Sequence, residues 1–258
     1  MMLKEPPCKV IFCVPFLDKP TAPFIAALEA SVPLIEAAGW EHGLVQEKGN
    51  VYISCARNTM LRKALNTSPD CVVFLDYDLS WEPQALLDLI QTEGDVVAGT
   101  YRFKTDDEIE YMADYVTFEG RPVTRADGCV RMINVPAGFL KVTRPAVNRF
   151  MKAYPNLVYG DACYPHVDLF NHGAMDGTWY GEDYGFCKHW RDLGGEIWLR
   201  PNMNITHHSP DKAYPGNYHD YLCALPGGSA HPLTKALKAM EQPEVASFIE
   251  QLKTKKET

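Results

Sequence analysis

A chain of 258 residues with 25 Lys+Arg against 33 Asp+Glu, a formal charge of −8, has room for one large α/β domain or two small ones. It lacks the clustered basic charge of a protein built to grip a phosphate backbone. No apolar run approaches the ~20 residues that span a bilayer, the start MMLKEPPCKV is too polar for a signal peptide, and eight scattered cysteines without a CxxC pair read as reduced thiols of a cytoplasmic protein.

Lys9–Pro15 (KVIFCVP) is apolar, β-branched and closed by proline, the pattern of a buried strand. A helix follows with Phe24, Leu28, Val32 and Ile35 on one stripe, ending near Gly39. Val51–Asn66 repeats the helical period through Ile53, Met60, Leu61, Ala64 and Leu65. Cys71–Leu75 (CVVFL) is a second buried strand, stopped by Asp76-Tyr77-Asp78. Ser80 with Pro83 starts a helix that buries Leu86, Leu87 and Ile90, and Asp95–Tyr101 is a third strand. This alternation predicts a mostly parallel sheet covered on both faces.

From Arg102 to Cys129 the pattern weakens, and the spacing predicts an excursion across one rim of the sheet, partly hairpin. Arg131–Val142 reads as one strand with Pro136-Ala137-Gly138 at its centre, Pro145–Tyr154 as a helix, and 155–180 as an aromatic, Gly-rich loop lining a site. Glu182–Leu193 reads as a helix with Phe186, Trp190 and Leu193 buried, and Glu196–Leu199 and Asn204–His208 as strands. The predicted organisation is one domain over residues 1–210, then a connector and helical tail over 211–258, with helices at Pro232–Met240 and Pro243–Leu252 and a small basic cluster at Lys253, Lys255 and Lys256.

Four constellations carry chemistry. Asp76 and Asp78 end a buried strand, at the sheet edge where open α/β sheets place their ligands. Strand alternation puts both carboxylates on one side, where oxygen ligands suit Mg²⁺ or Mn²⁺; short acids at a strand end also cap the next helix. Glu182 and Asp183 open a helix, where acids also serve the helix dipole. His207 and His208 end the last apolar strand, placed either to complete a metal shell or to form polar loop. Arg57 lies beside an apolar helix face and needs an anion, either a carboxylate such as Asp76 or a bound phosphate.

In this order the motifs resemble a GT-A fold glycosyltransferase, most like the family-two type, over roughly residues 8–209. The matching stretches are Val14-Pro15-Phe16, Ala56-Arg57-Asn58, Phe74–Asp78 (FLDYD), Pro136–Phe139 (PAGF), Gly181-Glu182-Asp183, and His207 or His208. Proteins of this look occur in phages and large viruses. The resemblance implies a single α/β, Rossmann-like domain that moves a sugar from a nucleotide-diphosphate sugar, a UDP-sugar above all, to a hydroxyl acceptor. It implies Mn²⁺ or Mg²⁺ on Asp78 and His207, with His208 as the fallback. Asp76 would join that set or face the ribose. Pro15, Phe16, Asn58, Tyr77 and Glu47 would border the donor, and Arg57 would neutralise the diphosphate or brace Asp76. Asp183 would be the general base with Glu182 holding hydroxyls, although the same landmarks also accompany retention of configuration. Tyr159, Tyr164, Trp179 and Tyr180 would offer ring faces to a sugar or base or pack in the interior; the acceptors the resemblance implies are a glycan, a small molecule or a modified nucleobase, and the negative charge favours a glycan, small molecule or protein over a DNA duplex. The alternatives are a nucleotidyltransferase, against which VPFLDKPTAP lacks the glycine-rich loop, and a catalytically silent glycan-binding domain.

Overall fold

A computed structural model describes residues 8–224. The two predicted tail helices and the lysine cluster lie outside the described residues. The elements in chain order are β1 (Lys9–Phe16), α1 (Ala22–Ala37), β2 (Glu41–Lys48), α2 (Ile53–Leu65), β3 (Cys71–Leu75), β4 (Leu79–Trp81), α3 (Pro83–Gln91) and β5 (Val96–Ala98). Across the rim come β6 (Asp114–Tyr115) and the hairpin β7 (Thr117–Phe118) and β8 (Arg121–Pro122). Then follow β9 (Val130–Asn134), β10 (Phe139–Thr143), α4 (Arg144–Ala153), and two hairpins, β11 (Val158–Asp161) with β12 (Tyr164–Val167) and β13 (Gly173–Met175) with β14 (Thr178–Tyr180). The chain continues with α5 (Glu182–Asp192), β15 (Ile197–Leu199), β16 (Asn204–His208), β17 (Ala213–Asn217) and α6 (Tyr218–Ala224).

Eight strands form the central sheet in the order β2-β1-β3-β10-β5-β15-β9-β6. β10 and β9 run against the others, so the sheet is mainly parallel and the α/β expectation holds. The central strands are apolar throughout because each face is covered. Ile11, Cys13, Val72 and Phe74 pack with Met60, Leu61, Phe150, Phe186 and Trp190 from α2, α4 and α5. Val10, Phe12, Val73 and Leu75 pack with Phe24, Ile35, Leu86 and Ile90 from α1 and α3. Alternation thus feeds two cores at once.

Several elements differ from the sequence reading. β2 reads as polar (EHGLVQEK) because it is a half-exposed edge strand paired only to β1 within the sheet. Arg131–Val142 is two strands rather than one: Val135–Gly138 breaks the run, β10 inserts between β3 and β5, and β9 pairs with β15. The helix expected from Ser80 starts at Pro83, and Ser80 lies in β4, which pairs with β16. Residues 155–180 contain two hairpins. Past residue 210 the chain stays in the same folded unit, since β17 pairs along β16 and Tyr218 of α6 is buried in the core.

Phe74 is fully buried and meets Phe170 edge-on at 4.8 Å, and the Phe170 ring in turn lies under Arg57. Phe74→Ala should therefore destabilise the protein by about 3–5 kcal/mol, read as a lower urea midpoint at unchanged m-value.

Candidate active site

The carboxyl ends of β1 and β3 open into a cleft of about 420 Å³ lined by Pro15, Phe16, Leu17, Asn50, Val51, Ile53, Arg57, Asp76, Tyr77, Asp78, Tyr101, Met112, Glu182, Asp183 and His207. Stretches from seven different parts of the sequence meet here.

The floor is built on Asp76. Its Oδ1 accepts from Arg57 Nη2 at 2.9 Å and its Oδ2 from the Tyr101 hydroxyl at 3.1 Å, while its backbone N–H donates to Gly138 O at 2.8 Å. Arg57 is only 4% exposed and lies 3.9 Å from Glu182. Burial opposes its charge, but Asp76 and Glu182 outweigh that and hold its pKa above the ordinary value. Burial, with the adjacent Asp76 charge, holds Tyr101 well above the ordinary phenol range, so its hydroxyl stays a donor. Gly138 is required by contact: a Cβ there would collide with the Tyr101 hydroxyl and the Asp76 carboxylate.

Asp78 lies two residues further along the chain, in the turn that follows β3. β3 ends at Leu75 and the next residues form a tight turn, closed by Leu79 N–H to Asp76 O at 3.2 Å. The turn is tied to α1 through Thr21, whose N–H and hydroxyl both donate to Tyr77 O at 3.0 Å. Strand alternation therefore stops before it can align the two acids, and they take different partners. Asp78 Oδ2 accepts from Lys104 Nζ at 2.5 Å and stands 3.5 Å from His207 Nε2. Burial pushes its pKa up, but the hydrogen bonds from His207 and Lys104 outweigh burial and hold it below the ordinary value.

His207 Nδ1 lies 3.0 Å from the Arg102 carbonyl, a contact that places a proton on Nδ1 and turns Nε2 toward Asp78. Alternation along β16 turns His208 away: its ring meets the Ser80 hydroxyl at 2.7 Å and its N–H donates to Asp78 O at 2.8 Å. Burial keeps its pKa low, so it is neutral near pH 7. Of the two histidines, His207 lines the cleft. No group of three His, Cys, Asp or Glu side chains stands close enough to hold an ion among the described residues, because Asp76 is turned to Arg57 and Tyr101. The expected trio of Asp76, Asp78 and His207 reduces to the pair Asp78 and His207.

Glu182 and Asp183 enter from the first turn of α5, after Gly181, which supplies no side-chain cap. Burial and the neighbouring Glu182 charge push Asp183 up to about 6. That is a carboxylate able to exchange a proton close to neutrality.

Pro15, Phe16 and Tyr77 line the cleft as the sequence reading expects, and Asn58 and Glu47 do not. Asn58 Nδ2 donates to Asp168 at 2.6 Å and its Oδ1 accepts from Phe170 N–H at 3.1 Å, so it anchors the segment that carries Phe170 beneath Arg57. Glu47 pairs with Lys63 at 2.8 Å. The aromatics Tyr159, Tyr164 and Trp179 are 51%, 61% and 71% exposed, so they are not core. The sequence reading missed Tyr101 and Lys104. Tyr101 closes the DVVAGTY strand signal and was findable there, whereas Lys104 sits in a charged loop with no periodicity.

No family model matches this chain, and no curated protein matches it. Among solved structures it is similar to a glycosyltransferase involved in the glycosylation of the major capsid of PBCV-1, at 13% identity and a TM-score of 0.33, over 58% of this chain and 67% of that one. A likeness so distant leaves the site to its own geometry.

Two outcomes follow for stability. Gly138→Ala should separate Tyr101 from Asp76 and lower Tm by several degrees. Asp183 has a folded pKa of about 6 against an ordinary 3.8, so the fold favours its protonated form. Its stabilising contribution is full below about pH 4 and is lost as the pH rises through 6. Asp183→Asn should therefore melt higher than wild type above pH 6, with the gain vanishing near pH 4 in a Tm-against-pH series.

Proposed function

We propose that the cleft transfers a sugar from a nucleotide-diphosphate sugar to a hydroxyl acceptor, with a divalent cation as cofactor. The observation that carries this reading is the meeting of Asp78, His207 and Asp183 in one cleft whose far wall is Pro15 and Phe16. Asp78 Oδ2 and His207 Nε2 stand 3.5 Å apart, and Nδ1 is tied to the Arg102 carbonyl. A carboxylate oxygen and an imidazole nitrogen turned to one spot, the nitrogen binding once it has lost its proton, form a donor set that fits Mn²⁺ or Mg²⁺. When bound, such an ion offsets the negative charge that grows on a departing diphosphate.

The rest of the work falls to the chain. Pro15, Phe16 and Tyr77 border the base and ribose. Arg57, locked on Asp76, sets the positive floor of the cleft beside Glu182. Asp183, with a pKa of about 6, is ionised at pH 7 and takes the proton of the attacking hydroxyl as general base. Glu182 orients hydroxyl groups. The exposed rings of Tyr159, Tyr164 and Trp179 suit the flat C–H faces of a sugar, so a glycan is the acceptor this surface favours.

The experiment is a donor screen: hydrolysis and transfer from UDP-, GDP- and other nucleotide sugars with and without Mn²⁺. Asp78→Asn should abolish turnover while the protein still unfolds as one cooperative unit, and undiminished turnover in that variant refutes the reading. In wild type, kcat/KM should climb with pH through about 6 as Asp183 ionises, and Asp183→Asn should lose about 10²–10⁴-fold and that pH limb with it.

A further inference from the structure

Beyond β5 the chain folds over the cleft rim as a closed loop. Arg102 bridges to Tyr111, and Phe103 N–H donates to Glu110 O at 3.0 Å. Arg102 Nη2 reaches Thr105 O at 3.3 Å, and Lys212 pairs with Asp106 on the outer side. This one loop makes two contacts into the site. The Arg102 carbonyl fixes the His207 ring, and Lys104 Nζ sits on Asp78 Oδ2. The loop thus orients the imidazole and covers the carboxylate with a positive charge at the spot they share.

Asp78 is 14% exposed at its side chain and shares the cleft with Asp76, Glu182 and Asp183, so its charge requires a cation nearby. Among the described residues, a lysine and an arginine touch these acids. Arg57 is buried and committed to Asp76, whereas the Lys104 side chain is 31% exposed on a flexible four-carbon stem. Lysine can leave Asp78 by side-chain rotation alone, with the backbone of the loop still held. A divalent ion carries twice its charge and engages the carboxylate and the imidazole together, whereas an ammonium engages only the carboxylate. Once displaced, the Lys104 ammonium has lost its carboxylate while Arg57 stays locked on Asp76, so Lys104 can pair with an anion entering the cleft.

We propose that Lys104 is the resident counter-ion of Asp78, that it yields to a divalent cation, and that it then pairs with the diphosphate of the donor. The second half rests on the nucleotide-sugar reading above. Lys104 is then a donor-binding residue that also sets the threshold for metal entry.

The test is calorimetry on the full chain, with Mn²⁺ alone and with UDP at saturating Mn²⁺. Lys104→Met should bind Mn²⁺ alone about 3- to 10-fold tighter, because its competitor is gone, and UDP about tenfold weaker, because the phosphate contact is gone. Opposite shifts in one variant separate this role from a structural one, which would weaken both. Lys104→Arg keeps the charge and should return both constants toward wild type. Mn²⁺ affinity that is unchanged or weaker in Lys104→Met, at an unchanged Tm, overturns the proposal, as does UDP affinity that is undiminished. Wild-type protein that takes up Mn²⁺ but no UDP sinks the nucleotide reading and the phosphate half with it. The competition for Asp78 is still decided by the Mn²⁺ titration alone.

Discussion

Arg57 holds the cleft together. Its guanidinium is buried beneath Asp76, within 3.9 Å of Glu182 and over the face of Phe170. Four carboxylates line this small cleft, and without a fixed positive charge at its base their mutual repulsion would favour opening it. Removing one partner of such a buried pair leaves an uncompensated charge, at a cost of about 3–5 kcal/mol. Everything above the floor is arranged around that pair: Tyr101 takes the second oxygen of Asp76, and Gly138 leaves room for both.

Because Asp76 is committed, the acids of the cleft divide their work. Asp76 is structural and neutralised. Asp78 is held below the ordinary carboxylate range by His207 and Lys104, so it stays ionised. Asp183, buried beside Glu182 and short of hydrogen-bond donors, is pushed up to about 6. Two carboxylates of the same cleft thus differ in proton affinity because one has cationic partners and the other has an acidic neighbour. That separation suits one group to hold a cation and the other to exchange a proton.

Lys104 and Arg102 connect the rim loop to this chemistry. The loop's backbone bonds and its Lys212–Asp106 pair fix its path, and the Lys104 side chain reaches Asp78. The exposed aromatics Tyr159, Tyr164 and Trp179 stand on the two hairpins of 158–180, which this loop does not carry.

The alternating strands and helices, the mainly parallel sheet, and the short list of Arg57, Asp76, Asp78, Glu182, Asp183 and His207 were legible in the amino-acid order. Apolar runs bounded by acids declare where a buried strand ends, and the ends of such strands share one edge of the sheet. The edge strand β2 was not legible, because one exposed face dilutes its apolar signal, and the break between β9 and β10 falls at Pro136-Ala137-Gly138, which was read as the middle of a single strand. Only the folded chain decided the partners. The turn after Leu75 sends Asp76 to Arg57 and Asp78 to His207, the alternation of β16 chooses His207 over His208, and Asn58 becomes an anchor for the segment around Phe170. Local order sets which side chains reach the sheet edge, but which charge faces which depends on contacts between residues far apart in the chain, and Lys104 meets Asp78 across 26 positions that carry no periodic signal of the encounter.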